Sequence, residues 1–216
     1  MRTKKEIYID YLLTLYLIRY SEENNYHIDG RLKFQKLMFI SEINMLNKSE
    51  KGLHLKFFRY NYGPYSRELA EDYKELEKRD LITNFKITSA GIEILNLLWE
   101  GVKGINKNRS IANELEKTVN HYGKYNGYAL KDIVYKMKIK PHDMPGQELR
   151  IRNIPLFVDL IVPENFKTNV KFDMPDDVLG IFEEELKLTP EARERIDKEW
   201  PAFLGKGYRK LLNVAS

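Results

Sequence analysis

The sequence predicts a mostly helical α+β fold, with a winged-helix-like core, a small antiparallel sheet and a C-terminal α/β appendage. Three observations carry that reading. Long runs place apolar residues at helical spacing. Between Leu53 and Phe58 the pattern changes to alternation, with Leu53, Leu55 and Phe57 on one parity and His54, Lys56 and Phe58 on the other, which reads as a half-buried strand. The stretch from Leu69 to Trp99 then reads as helix, short hairpin, helix. A winged helix-turn-helix half looks like this, and so does the cover on one face of a small α+β domain. The expected division is a domain over 1–140 and an appendage over 150–216.

Residues 4–21 are apolar nearly all round, from Ile7 to Ile18, and such a helix belongs in the middle of a domain. Asp29 is placed to cap a second helix, roughly Gly30 to Asn47, with Leu32, Phe34, Leu37, Met38, Ile40 and Ile43 as its buried stripe. After the alternating stretch, Tyr62-Gly63-Pro64-Tyr65 breaks the strand, because Gly permits positive φ and Pro fixes its own. Ser66 caps a helix over Arg67–Lys78, with Leu69, Tyr73 and Leu76 inward. Leu81-Ile82-Thr83 and Phe85-Lys86-Ile87 form two short strands around Asn84, and Thr88 or Ser89 caps a helix bearing Ile92, Leu95 and Trp99. These stripes predict one core shared by Leu37, Met38, Phe57, Leu69, Tyr73, Leu76, Ile92 and Leu95 with Leu12, Leu13 and Tyr16.

Gly101-Val102-Lys103-Gly104 reads as a loop, followed by a helix over 110–122 with Gly123 as a left-handed C-terminal cap. A helix over 127–138 and a loop at 141–146 lead to an expected strand at 154–162, which Pro155 limits to a start or an edge. Pro175-Asp176-Asp177 opens an acidic helix to about Lys187, and Thr189-Pro190-Glu191 opens another. Residues 173–199 carry ten acids and four bases. This segment is expected to be helical, to lie outside the main core and to tune partner choice, docking by charge on the basic stretch 104–153 or competing with an anionic partner for that face.

The net charge of +4 is unevenly spread, and the basic stretches hint at an anionic partner or simply form solvated faces. With no cysteine in 216 residues, disulfides and thiolate zinc sites are excluded, and a cytoplasmic location is expected. The N-terminal apolar run is interrupted by Asp10, Thr14 and Arg19, so it reads as a core helix and not a signal peptide; no membrane association is expected.

Catalytic signatures are not evident. No two of His27, His54, His121 and His142 are spaced as a helical metal pair, and no phosphate loop, dinucleotide fingerprint or nucleophile elbow occurs. His54 reads as the outward residue of a strand, and Ser66 as a helix cap. No catalytic, cofactor or metal residue is assigned, and an enzyme is not expected. Aromatic and basic residues interleave between Lys56 and Arg67. Such a pattern can stack bases and pair with phosphates, or form core plus a protein-binding face. The candidate partner-binding residues are Arg59, Tyr60, Tyr62, Tyr65 and Arg67.

Several of these segments resemble one family. Lys33-Phe34-Gln35-Lys36-Leu37-Met38-Phe39 resembles the KLQKLLYF segment of Panacea-type antitoxin domains and their YwgA-like relatives. Phe57 to Ser66 resembles their aromatic strand followed by YGPYS, and Leu69 to Ile82 their next helix, with Arg79-Asp80 where the family usually has a glycine. Tyr122-Gly123 and Leu130 to Tyr135 resemble a later segment, so the likeness spans about residues 5–140. It implies a winged-helix-related helical domain that neutralises a toxin by direct contact or serves as a protease adaptor. It implies no catalytic residue set, and it leaves 150–216 uncovered.

Two functions follow as expectations. The first is a non-enzymatic, antitoxin-like protein that binds a partner protein. The second is a winged-helix DNA-binding regulator. Five acids against four bases in 66–79 disfavour the second, because DNA affinity rests on neutralising phosphates. Self-association is left open.

Overall fold

The computed structural model describes residues 2–188, which form seven α-helices and nine short strands. The fold is α+β and mostly helical, as expected. Helix α1 (Lys4–Glu23) starts at a capping box in which Thr3 and Glu6 satisfy each other's backbone N–H groups. Its all-round apolar surface is covered on several sides, and Leu12, Leu13, Leu15, Leu17 and Ile18 are fully buried. Helix α2 (Arg31–Asn47) packs on the helices over 106–122 and 127–136, with Phe39 and Ile40 fully buried. Its cap is Gly30, with no side-chain bond, and not the expected Asp29. Burying one such leucine or isoleucine stabilises the fold by about 1.5–3 kcal/mol.

The first strand pair joins β1 (Glu50–Lys51) in parallel to β9 (Val170–Lys171), far along the chain. The expected strand from Leu53 begins only at β2 (Phe57–Tyr60). Leu53, His54 and Leu55 are all buried, because this segment crosses the interior and has no solvent face. The break at Tyr62–Tyr65 is a hairpin: β2 turns at Asn61-Tyr62 into β3 (Gly63–Tyr65), and β8 (Asp159–Ile161) adds on the other side of β2 to give an antiparallel sheet ordered β3-β2-β8. Gly63 has φ +97°, the backbone state expected of it, and an added Cβ would meet the Tyr135 ring at 3.1 Å.

Helix α3 (Arg67–Lys78) begins at Ser66, whose Oγ accepts from the Leu69 N–H. Strands β4 (Ile82–Thr83) and β5 (Lys86–Ile87) form the predicted hairpin, with Asn84 and Phe85 both at positive φ. The Phe85 ring stacks on Tyr73 at 4.5 Å. Helix α4 (Ser89–Val102), capped by Thr88, runs three residues past Trp99 into the expected loop, because Val102 is fully buried and its carbonyl accepts from Asn108 Nδ2.

Helix α5 (Asn106–Tyr122) starts earlier than 110 and ends at Gly123, which has φ −59° and is not left-handed. Close packing is the physical reason for glycine there: a Cβ would lie 2.5 Å from the Val119 carbonyl and 2.7 Å from the Tyr26 ring. Helix α6 (Gly127–Lys136) leads into β6 (Lys138–Ile139) and β7 (Leu149–Arg150), a small pair closing the 141–146 loop. The long strand expected at 154–162 shrinks to β8, preceded by a 3₁₀ turn at Ile151–Asn153 and by Phe157 at φ +68°.

Residues 150–188 do not stand apart as an appendage. Strands β8 and β9 pair with β2 and β1, and helix α7 (Asp176–Lys187) packs on α1 and α4. Phe182 is fully buried against Tyr8 and Tyr11 at 5.3 and 6.5 Å. The acidic helix is therefore in the main core, and its Val178, Phe182 and Leu186 stripe outweighs the charge docking foreseen. Its ion pairs reach Lys4 and Lys5 on α1, and Lys107 meets Asp173 just before it. The expected helix from Thr189, and the basic residues Lys206, Arg209 and Lys210, lie outside the described residues. The predicted core forms as one cluster, with Ile92 and Tyr16 at its half-buried rim. Among the described residues no helix is long and apolar enough to cross a membrane.

Candidate interaction face

Strand β2 sorts its side chains by parity. Phe57 and Arg59 face inward, while Phe58 and Tyr60 face out. Phe57 meets Phe39 edge-on at 5.4 Å. Arg59 is only 8% exposed; its guanidinium lies 4.9 Å over the Tyr135 ring, and it donates to the carbonyls of Ile151 and Tyr60. Of the five residues proposed from sequence, Arg59 is thus structural and points away from the other four.

The outer face gathers rings. Phe58 is opposite Tyr65 in register, with centroids 5.7 Å apart, and Tyr60 lies 6.0 Å from Phe58 and 5.6 Å from Tyr65. Arg67, exposed at the start of α3, sits 5.5 Å over the Phe58 ring. Tyr62 is 58% exposed at the hairpin turn. The sequence reading missed Phe157, whose ring lies 6.0 Å from Tyr60 and is 64% exposed, with Leu156 beside it at 48%. A bulky residue at φ +68° is held against strain. Two backbone bonds hold it: Phe157 N–H donates to the Arg59 carbonyl at 2.7 Å, and Arg59 N–H to the Val158 carbonyl at 2.8 Å. Pro155 was the only local signal, and it says nothing of the left-handed residue two places on.

Charges line one end of this face. Lys56 pairs with Asp159 at 2.5 Å, and Asp143 accepts from the Asp159 N–H at 2.8 Å. Glu68 accepts from Ser66 Oγ and lies near enough to help hold the Lys56 ammonium above its usual range, after the hydrogen bond to Asp159. With Arg67, two bases face three acids there.

Behind the face, polar residues of the Lys33–Lys36 segment serve as anchors. Lys33 Nζ donates to the carbonyls of His27 and Gly123, at 2.5 and 2.6 Å. Gln35 clamps the Ser66 backbone, donating to its carbonyl at 3.0 Å and accepting from its N–H at 2.9 Å. Lys36 Nζ donates to the Pro64 carbonyl at 2.7 Å, and burial, with the nearby Arg59 charge, pushes this amine down to about 7.

A second polar cluster gathers around Asp10 of α1. Arg2 bridges Asp10 at 2.7 Å and Asp72 at 2.6 Å. Burial outweighs that bridge at Asp72 and pushes its carboxyl up to about 6. Asp10 also accepts from the His54 N–H at 2.8 Å and faces its ring at 3.1 Å, so His54 is an interior residue and not the outward strand position expected. Glu42 is buried with neither carboxyl oxygen bonded; burial, then the neighbouring Asp10 charge, holds its acid form well above the usual carboxylate range. The cluster lies beneath the surface, with the partly exposed Glu6 carboxylate 3.7 Å from the His54 ring. A shallow polar cleft of about 670 Å³ between α2 and α5 is lined by Lys48, Glu114, Lys117 and His121, and Glu114 is already paired with both lysines. Among the described residues no group of three or more His, Asp or Glu converges as metal ligands.

Comparison with protein-family models, with curated proteins and with solved structures matched none of them.

Proposed function

We propose that this chain is a non-enzymatic, antitoxin-like binding protein that captures and neutralises a partner protein through the outer face of the β3-β2-β8 sheet. One observation carries the reading: Tyr60, Tyr62 and Phe157 are solvent-exposed on a braced sheet, where a solitary monomer would bury or replace them. Tyrosine and phenylalanine are favoured at the centres of protein interfaces. The charges beside the rings argue against nucleic acid, since three acids facing two bases leave phosphates unneutralised. In a winged-helix reading of α3, β4, β5 and α4, Phe85 at the hairpin tip is turned inward onto Tyr73, which takes it away from a groove.

Photo-cross-linking tests this. Tyr62 is replaced by p-benzoylphenylalanine and the intact chain is irradiated in cells. A defined protein adduct, lost when Tyr60 and Phe157 are both changed to serine, is the expected result. Adducts to nucleic acid, or no protein adduct, overturn it.

A further inference from the structure

From α5 to β7 the element order is helix, short turn, helix and two-stranded ribbon, the order of a winged helix-turn-helix. The turn is Gly123-Lys124-Tyr125-Asn126, of the length and glycine content such motifs use. Helix α2 packs on both α5 and α6 and completes a three-helix cluster. Lys33 of α2 fixes the turn by donating to the Gly123 carbonyl at 2.6 Å. Gly127 lets α6 close on α2, since an added Cβ would lie 3.1 Å from the Lys33 backbone nitrogen. The Asn126 side chain caps α6 by accepting from the Ala129 N–H at 2.9 Å.

This packing leaves one side of α6 open. Leu130 and Val134 are buried, while Tyr128, Asp132 and Lys136 are exposed and Lys131 and Tyr135 half-buried. Lys131 Nζ lies 5.8 Å from the Tyr128 ring centroid and 5.7 Å from that of Tyr135. A helix of ten residues is about 15 Å long, and the major groove of B-DNA, about 12 Å wide, admits it.

The ribbon adds charge. Lys138 stands directly opposite Arg150, so both project from one side of the ladder, and Ile139 on the other side is buried. Like charges directly opposite destabilise a ladder, and an anion between them removes that repulsion. Glu148 reaches Lys138 only at 3.7 Å, and among the described residues Lys136, Lys140, Arg150 and Arg152, all exposed, form no ion pair. From Lys124 to Arg152 the sequence carries seven bases against three acids, the opposite balance to the five acids and four bases of 66–79. One of the three acids, Asp143, is turned to the Asp159 N–H.

We propose that α5, α6 and the β6–β7 ribbon form a duplex-DNA-binding surface, with α6 entering the major groove behind Tyr128 and Lys131, and Lys138 and Arg150 of the ribbon on phosphates. Phosphate neutralisation supplies most of such affinity, and the unpaired cations are placed for it. This surface is separate from the one assigned to protein capture. Arg59, on the inner side of β2, lies 4.9 Å over the Tyr135 ring, so α6 sits on the side of the sheet away from Tyr60.

Fluorescence anisotropy with the intact chain tests it. The probe is a fluorescein-labelled, mixed-sequence duplex of about two helical turns. Saturable binding is expected at low salt, with a dissociation constant of about 1–100 μM, falling steeply between about 50 and 200 mM salt. Lys138→Ala with Arg150→Ala is expected to weaken it by about tenfold or more and to make the slope of log affinity against log salt shallower by about 1 for each cation removed. Lys74→Ala with Lys78→Ala on α3 removes the same charge from another exposed surface and is expected to change neither. Circular dichroism checks that all variants are folded. No saturable binding at low salt, equal losses from the two pairs, or tighter binding of a single strand of the same length overturns the proposal. So does displacement of the duplex by polyglutamate at equal charge, which marks an acidic protein partner. Tyr60→Ser with Phe157→Ser is expected to leave duplex binding unchanged, and its loss there overturns the assignment to α6. If the duplex fails while Tyr62 still cross-links a protein, this proposal falls and protein capture stands.

Discussion

The α1–α2 interior and the β3-β2-β8 face divide the chain's side chains against the usual order. In the interior, Arg2, Asp10, Lys33, Lys36, Glu42 and Asp72 are sequestered from water. On the face, Tyr60, Tyr62 and Phe157 are left in water. Apart from Glu42, these interior groups are held by partners of fixed geometry, backbone groups or opposite charges. Tyr60 meets the rings of Phe58, Tyr65 and Phe157, and Arg67 sits over Phe58. The difference teaches which residues hold the fold and which are free to act on something else. Interior charges without partners would cost several kcal/mol each, so their presence reports a structural task. Exposed rings bury little within this chain, which is why a use outside it is proposed for them.

The largest test of that contrast is Asp10→Ala. It removes the acceptor for His54 N–H and one of the two carboxylates on Arg2, in a fully buried setting. A loss of about 3–5 kcal/mol in chemical denaturation is expected. Gln35→Ala comes next. It leaves the buried Ser66 N–H and carbonyl unpaired, and about 2–3 kcal/mol of destabilisation is expected from the same measurement.

Glu42→Met should act in the opposite direction. Neither Glu42 oxygen is bonded, so an apolar side chain of similar volume is expected to stabilise by about 1–2 kcal/mol at pH 7. The effect has a sign in pH. Unfolded, Glu42 releases its proton near the usual 4.5; folded, burial holds the proton to much higher pH. The folded state thus binds more protons above 4.5, and this residue's contribution falls as pH rises towards its folded value. Denaturation at pH 5, 7 and 8 should show the variant's advantage growing. Lys36 runs the other way: its folded value of about 7 lies below the ordinary 10.5, so its burial costs most below pH 7 and the cost fades from 7 to 10.5. The smallest stability effect is reserved for Tyr60→Ser and Phe157→Ser, at about 0.5 kcal/mol or less, together with loss of the partner. A large destabilisation by Tyr60→Ser would erase the contrast between the two regions.

Helices were legible because their stripes are local: Leu69, Tyr73 and Leu76 sit on one side of α3 as their spacing requires. The β4–β5 hairpin was legible from Asn84 and its apolar neighbours. What failed was long-range. His54 looked outward by parity, but its partner Asp10 lies 44 positions away. Lys33 and Lys36 resemble ordinary solvated helix lysines until the loops that supply their carbonyls are in place. Strand β8 is three residues long and joins β2 from a hundred positions away, so neither Phe157 nor the completed face could be read locally. Four of the five proposed site residues lie on or beside the face; Arg59 was misplaced because a charged residue on a two-sided strand gives no sign of which side it takes.

Helix α2 has a consequence for how this chain tolerates insertions and deletions. Within four positions, Lys33, Gln35 and Lys36 fasten the segments at 27 and 123, at 66 and at 64. One residue added between Phe34 and Gln35 would rotate everything after it by about 100°. Gln35 and Lys36 would then be out of phase with Lys33, and the β3 turn and the entry to α3 would come loose together. An equal insertion at 143–148, among exposed turns, changes only a loop length, for which each doubling costs about 0.6 kcal/mol. Length variation should therefore be tolerated around Gly146 and excluded from the middle of α2.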